Sequence, residues 1–106
     1  MAGRGNMVGL VELADADSLL NRHGKASFKD LQAVFHKRLQ GWVRAKDEWS
    51  LLEDGRFCVL LKGISSRGEL ELATAKLQRI FSEPHYQFGR PVNLEFIAGF
   101  TQVQDP

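Results

Sequence analysis

Three groups of residues in this chain have the types and spacing to do chemistry. The first is Glu53-Asp54-Gly55-Arg56, three charges and a glycine between two apolar runs, Trp49–Leu52 and Phe57–Leu61. An Asp-Gly pair in that setting predicts a hairpin with a two-residue turn, because Gly reaches positive φ at little cost. The charges would then sit at a tip on a stiff support. The second group is Arg44-Ala45-Lys46-Asp47, at the end of a helical pattern. On residue type alone, Arg44 complements the helix dipole and Asp47 turns the chain. The third is Glu12 with Asp15 and Asp17, carboxylates at the end of a strand-like run, where a cation could bind or a helix could be capped. His23, His36 and His85 fall on different elements without a matched carboxylate. Ser18, Ser27 and Ser50 have no base arranged around them. Cys58 is the single cysteine, which rules out a disulfide framework or a Cys/His zinc site; inside an apolar strand it reads as a small core residue.

Elements must hold these groups in place. Met7–Leu13 reads as a buried strand. Asp15 or Asp17 would cap a short helix through Leu19 and Leu20, stopped at Gly24. Ser27, with Asp30 three places on, opens a longer helix whose apolar stripe is Phe28, Leu31, Phe35, Leu39 and Trp42. Lys29, His36, Lys37, Arg38 and Gln40 fill its solvated face. The hairpin follows, with enough apolar surface to form the centre of a sheet. Ser66 and Glu69 then make a capping box for a helix carrying Leu70, Ala73, Leu77, Ile80 and Phe81, which must end before Pro84. Tyr86–Phe88 and Pro91–Phe100 flank a turn at Gly89-Arg90, and Val92, Leu94, Phe96 and Ala98 alternate as in a strand covered on one face. Thr101–Pro106 reads as a polar tail.

The order strand, two-piece helix, strand, strand, helix, strand predicts an α+β fold: an antiparallel sheet with both helices on one face, the ferredoxin-like arrangement. At 106 residues it forms one domain, residues 7–106, behind a lead of residues 1–6 expected to be a tag or disordered. The chain is 43% hydrophobic and 25% charged with a formal net charge of +1, which excludes a strong basic field for nucleic acid. The strands also lack the paired exposed aromatics with which ferredoxin-like RNA binders stack bases. No run is long and apolar enough for a signal peptide or a membrane span, so a cytoplasmic location is expected, or the cytoplasmic part of a larger or membrane-bound protein.

From about Met7 to Phe100 the chain resembles a GGDEF domain, the bacterial diguanylate cyclase module with its nucleotidyl-cyclase palm. It is most similar to those that precede an EAL domain in hybrid cyclic-di-GMP signalling proteins. The residues that carry the resemblance are Leu10-Val11-Glu12-Leu13, Leu19 to Gly24, Arg44-x-x-Asp47, Glu53-Asp54-Gly55-Arg56-Phe57 with Cys58-Val59-Leu60-Leu61, Ile80 to Tyr86, and Phe96-Ile97-Ala98-Gly99-Phe100. The family's late helix and final strand are expected to lie beyond this sequence.

The resemblance implies a site and also its loss. A cyclase of this kind holds metal ions on carboxylates to position one triphosphate and activate the other nucleotide's 3′-hydroxyl. Glu12 stands at the strand carboxylate, a longer acid that could still coordinate Mg²⁺ as a metal ligand. The two acidic places of the signature are Gly55, which has no ligand, and Arg56, a fixed cation. A one-residue shift would put Asp54 in a metal-like place but would move Phe57 out of phase. The guanine-reading Asn and Asp map to Leu20 and Asn21, and the His after Gly24 to Lys25. The expectation is a degenerate, catalytically inactive GGDEF domain acting as a regulatory module, with no cofactor, or Mg²⁺ only beside a bound nucleotide. The alternative is an active cyclase with a divergent signature on Glu12 and Asp54. Arg44 and Asp47 stand in the register of the family's inhibitory R-x-x-D site, which implies cyclic-di-GMP binding: guanidinium to guanine O6 and N7, carboxylate to N1 and N2. Trp42 and Trp49 flank that corner, as core residues or as a stacking platform. Expected partners are an EAL domain, in the same parent chain or in another signalling protein, and cyclic di-GMP; nucleic acid is excluded and homodimerisation is open.

Overall fold

The computed structural model describes residues 5–52 and 55–104. Its strands are β1 (Gly5–Leu13), β2 (Glu48–Leu51), β3 (Phe57–Leu61), β4 (His85–Gln87), β5 (Arg90–Val92) and β6 (Phe96–Gln104), with helices α1 (Ala16–Trp42) and α2 (Arg67–Phe81). β1, β2, β3 and β6 form one antiparallel sheet in the order β2-β3-β1-β6, and β4 pairs with β5 in a separate ribbon. The ferredoxin-like expectation holds. The core explains it: Leu31, Phe35, Leu39 and Trp42 of α1 and Leu77 and Phe81 of α2 join Val11, Phe57, Val59 and Leu61 in one apolar cluster. Both helices therefore cover one face of the sheet.

α1 is two helical pieces meeting at Gly24, whose φ of 81° and ψ of 167° leave the helical path. The stop expected at Gly24 is present, but the second piece resumes directly after it, ahead of Ser27. No side-chain bond joins Ser27 to Asp30; the Ser27 carbonyl instead accepts from Gln87 Nε2 at 3.4 Å. Asp15 stands at the N-cap position of α1 but makes no capping bond, since its φ of 53° places it in the left-handed region. At α2 the capping box is complete. Glu69 N donates to Ser66 Oγ at 3.1 Å, and Glu69 Oε1 accepts from Ser66 Oγ at 3.0 Å and from Ser65 N at 3.4 Å. The Ser66 hydroxyl holds the Glu69 carboxyl below its ordinary pKa.

The strands differ from the sequence expectation in several respects. β2 is an edge strand and β1 and β3 are the inner ones, so only half of the hairpin lies at the sheet centre. The hairpin closes as Leu52 N to Arg56 O at 2.8 Å, leaving three residues between them instead of two. This register pairs Leu51 with Phe57 and Trp49 with Val59. A two-residue turn would have slipped it by one and turned Trp49 and Leu51 to the face opposite Phe57, Val59 and Leu61. The run from Pro91 to Phe100 is divided between β5 and β6, and β6 continues through the expected polar tail to Gln104, opposite Gly5. β1 correspondingly begins two residues earlier than Met7, with Asn6 buried and its Oδ1 accepting from Gly63 N at 2.9 Å.

Gly9 is required by packing. An added Cβ there would stand 2.3 Å from the Phe100 ring, which lies across the glycine and meets Trp42 edge-on at 6.5 Å. Among the described residues no helix is long and apolar enough to cross a membrane.

Candidate functional site

α1 ends at Trp42, and Val43 turns extended (φ −66°, ψ 145°), so the chain swings through Arg44–Asp47 into β2. Asp47 N donates to the Arg44 carbonyl at 2.9 Å and closes the turn. The Asp47 side chain is fully buried, and its carboxylate is saturated. Oδ2 accepts from Arg44 N at 2.8 Å and Arg44 Nε at 3.0 Å, and Oδ1 accepts from Arg44 Nη2 at 2.8 Å and Lys62 N at 3.1 Å. Arg44 Nη2 also donates to the Lys62 carbonyl at 2.8 Å. Burial alone would raise the pKa of Asp47; the bonds from the Arg44 side chain and from the Arg44 and Lys62 backbone outweigh it and hold the carboxyl below its ordinary value. The hydrogen bond to Asp47 likewise raises Arg44. The two residues therefore act differently. Asp47 ties the end of α1 to the end of β3, whereas the Arg44 side chain keeps 40% exposure on the edge of a cleft of about 240 Å³. Trp42, Leu61 and Ile64 give that cleft an apolar floor, and Lys76 of α2 adds a second cation.

The tryptophans divide as well. Trp42 is a core residue, with Nε1 donating to the Ala73 carbonyl at 2.9 Å. Trp49 is 43% exposed and stacks on Phe57 at 5.2 Å and 14°.

At the hairpin, Glu53 and Asp54 lie outside the described residues. Gly55 has φ 80°, and its carbonyl accepts from His36 Nε2 at 3.1 Å, so a side chain of α1 anchors Gly55. Arg56 Nε lies 3.7 Å from Glu12 Oε1, both side chains half-exposed. Phe57, the last residue of the signature region, is fully buried. The fold thus brings Glu12 and Arg56 together, with Gly55 adjoining, and keeps Arg44 and Asp47 as a separate pair at the opposite end of the β2–β3 ribbon. His23, His36 and His85 are not brought together. Among the described residues no group of three His, Cys, Asp or Glu side chains could hold a metal ion. The Glu12–Arg56 contact was outside the reach of sequence reading, since it depends on β1 pairing with β3. The register that pairs Val11 with Phe57 brings the two side chains together.

No family model matches the sequence, and no curated protein matches it. Solved structures do. The GGDEF domain of YfiN (TpbB) from Pseudomonas aeruginosa superposes with a TM-score of 0.84 at 18% identity, over 93% of this chain and 62% of that one. An EAL/GGDEF domain protein from M. capsulatus gives 0.81 at 16% identity, over 94% and 64%. The coiled coil and GGDEF domain of DgcB from Caulobacter crescentus, solved with c-di-GMP, gives 0.79 at 5% identity, over 95% and 55%. The chain spans about three-fifths of the length of these structures. An antiparallel β2-β3-β1-β6 sheet, two helices on one face and a β2–β3 hairpin over the end of β1 make this the fold of the GGDEF domains.

Proposed function

We propose that the chain is a regulatory module of bacterial cyclic-di-GMP signalling that keeps the GGDEF fold without the cyclase chemistry. The observation that carries this reading is the contact of Arg56 with Glu12 at 3.7 Å. A cyclase needs a divalent cation beside the strand carboxylate, and here a guanidinium stands on that carboxylate. Gly55 offers no side chain to complete a donor set. These residues do not fit a catalytic metal, so no reaction step is assigned to one. Mg²⁺ would enter only with a bound nucleotide, and Glu12 is the residue that would meet it.

The partner half of the reading draws on the structural neighbours, which include an EAL/GGDEF protein and a c-di-GMP complex. An EAL domain, in the same parent protein or another, is the proposed protein partner, and the cytoplasm the proposed compartment. At the Arg44 corner the proposed ligand is cyclic di-GMP. Arg44 reaches the guanine edge from the cleft rim, and Asp47, with both oxygens already engaged, is the positioning residue that holds Arg44.

Incubation of the protein with GTP and Mg²⁺ or Mn²⁺ tests the catalytic half. No cyclic di-GMP is expected above the no-enzyme control. Steady product formation would instead identify a divergent cyclase built on Glu12 and Asp54.

A further inference from the structure

β2 has the composition of an inner strand and the position of an edge strand. Among the described residues it pairs with β3 alone. Yet Trp49 and Leu51 are each 43% exposed, and Leu52, next along the chain, is 39% exposed. Proteins guard such edges with lysine, proline or an inward-pointing charge, because an apolar edge is a template for another strand. No such guard stands at Trp49, Ser50 or Leu51.

The ladder shows which backbone groups are left over. Leu52 N donates to the Arg56 carbonyl, and hydrogen-bonded pairs alternate along an antiparallel ladder, so Ser50 and Cys58 form the next such pair. The N–H and C=O groups of Trp49 and Leu51 therefore point away from β3. They form a row that an extended strand matches, on the two residues whose apolar side chains share the face of Phe57 and Val59. α1 stands over the hairpin end of this row, where the His36 ring reaches the Gly55 carbonyl. Lys37, the next residue, and Lys46, just ahead of β2, are exposed and have no ion-pair partner among the described residues. A cation thus stands unpaired at each end of the strand.

We propose that β2 is the acceptor edge for an extended segment of a partner protein, apolar at alternate positions in its middle and acidic at both ends. The segment adds a strand to the sheet. Its backbone bonds to Trp49 and Leu51, its apolar side chains cover theirs, and its acids meet Lys37 and Lys46. β2 then becomes the inner strand that its composition describes. A second copy of β2 fits less well, because antiparallel pairing of two copies brings the Lys46 end of one to the Lys37 end of the other. So short a strand makes a small interface, and binding is weak unless the partner is tethered. The contact uses neither Arg44 nor Asp47 and is independent of the cyclic-di-GMP reading.

The test is a titration of the isotope-labelled whole chain with the end-blocked peptide Asp-Glu-Val-Thr-Val-Thr-Glu-Asp to about 1 mM, a range that reaches weak affinities. Amide NMR and hydrogen exchange are the readouts. The Trp49 and Leu51 amides should shift and exchange more slowly. A peptide with lysine in place of each acid should bind at least tenfold more weakly, and Lys37→Glu combined with Lys46→Glu should reverse that preference. Leu51→Pro removes one outward N–H and leaves the β2–β3 bonds in place, since an edge strand tolerates proline where the N–H faces solvent. It should abolish binding while the rest of the spectrum is unchanged. Leu51→Lys, an ordinary edge guard, should weaken binding as well and decides the matter if proline disturbs β2. No response at the Trp49 and Leu51 amides, or equal binding of the two peptides, overturns the proposal. Shifts of these amides that grow with protein concentration in the absence of peptide would assign the edge to a second copy and overturn it too.

Discussion

Arg56 Nε stands 3.7 Å from Glu12 Oε1, so the residue that precedes β3 faces the carboxylate near the end of β1. Both side chains are half-exposed, and such pairs contribute little to stability because water screens them. Arg56→Ala is therefore expected to change the free energy of unfolding by less than about 1 kcal/mol, measured by urea denaturation. A much larger loss would make the pair a support of the core. On the proposed reading the same variant should form no cyclic di-GMP from GTP, because Gly55 still supplies no ligand.

The Arg44–Asp47 corner is a different kind of pair. The Asp47 carboxylate is buried and accepts four hydrogen bonds, so Asp47→Ala leaves two backbone donors and a guanidinium without their acceptor. The expected loss is about 2–3 kcal/mol, the range for breaking a charged, buried hydrogen-bond set. Chemical denaturation of the variant measures it directly.

The same carboxylate sets an acid limit. Its folded pKa is depressed, so the unfolded chain binds the proton more tightly. The stabilisation is fully present above the unfolded value of about 3.9 and is lost as pH falls through the lower folded value. Stability measured from pH 7 to pH 2 should show this loss below about pH 4, and Asp47→Asn should flatten that part of the profile.

Binding at the Arg44 corner is separable from its folding. Calorimetry with cyclic di-GMP should show heat that disappears in Arg44→Ala and is much reduced in Arg44→Lys, since an ammonium cannot make the parallel pair of bonds a guanine edge accepts. No heat from the unmodified protein at high micromolar ligand would leave the corner a structural clamp.

Gly9→Ala tests the packing of the sheet. The new methyl group would meet the Phe100 ring, which is wedged between Gly9 and Trp42. A loss of about 1–3 kcal/mol is expected, as for other overpacked sites, and thermal unfolding would register it. A neutral outcome would mean that the ring moves aside freely.

What the sequence determined by itself is what neighbouring residues settle among themselves. Ser66 and Glu69 specify a helix start because their side chains and backbone meet within one turn. Gly24 divides α1 because no other residue takes its backbone angles so cheaply. The apolar stripe Leu31, Phe35, Leu39 and Trp42 is likewise legible from its spacing, and the element order was enough to give the sheet and its covered face. The Arg44–Asp47 corner was also local: the two residues are three apart, and their pairing needs only a turn.

Tertiary structure decided everything that depends on which faces meet. Asp54-Gly55 reads as a two-residue turn, but the burial of Phe57, Val59 and Leu61 imposes a register that leaves three residues in the loop. Residues 101–104 look like a polar tail, yet they pair with β1 because an inner strand must satisfy its backbone groups on both sides. Asp47 could not be recognised as a saturated buried clamp until the Lys62 amide arrived from β3. Above all, the Glu12–Arg56 contact joins residues that the chain alone keeps far apart. Only the pairing of β1 with β3 places the Arg56 guanidinium against the Glu12 carboxylate.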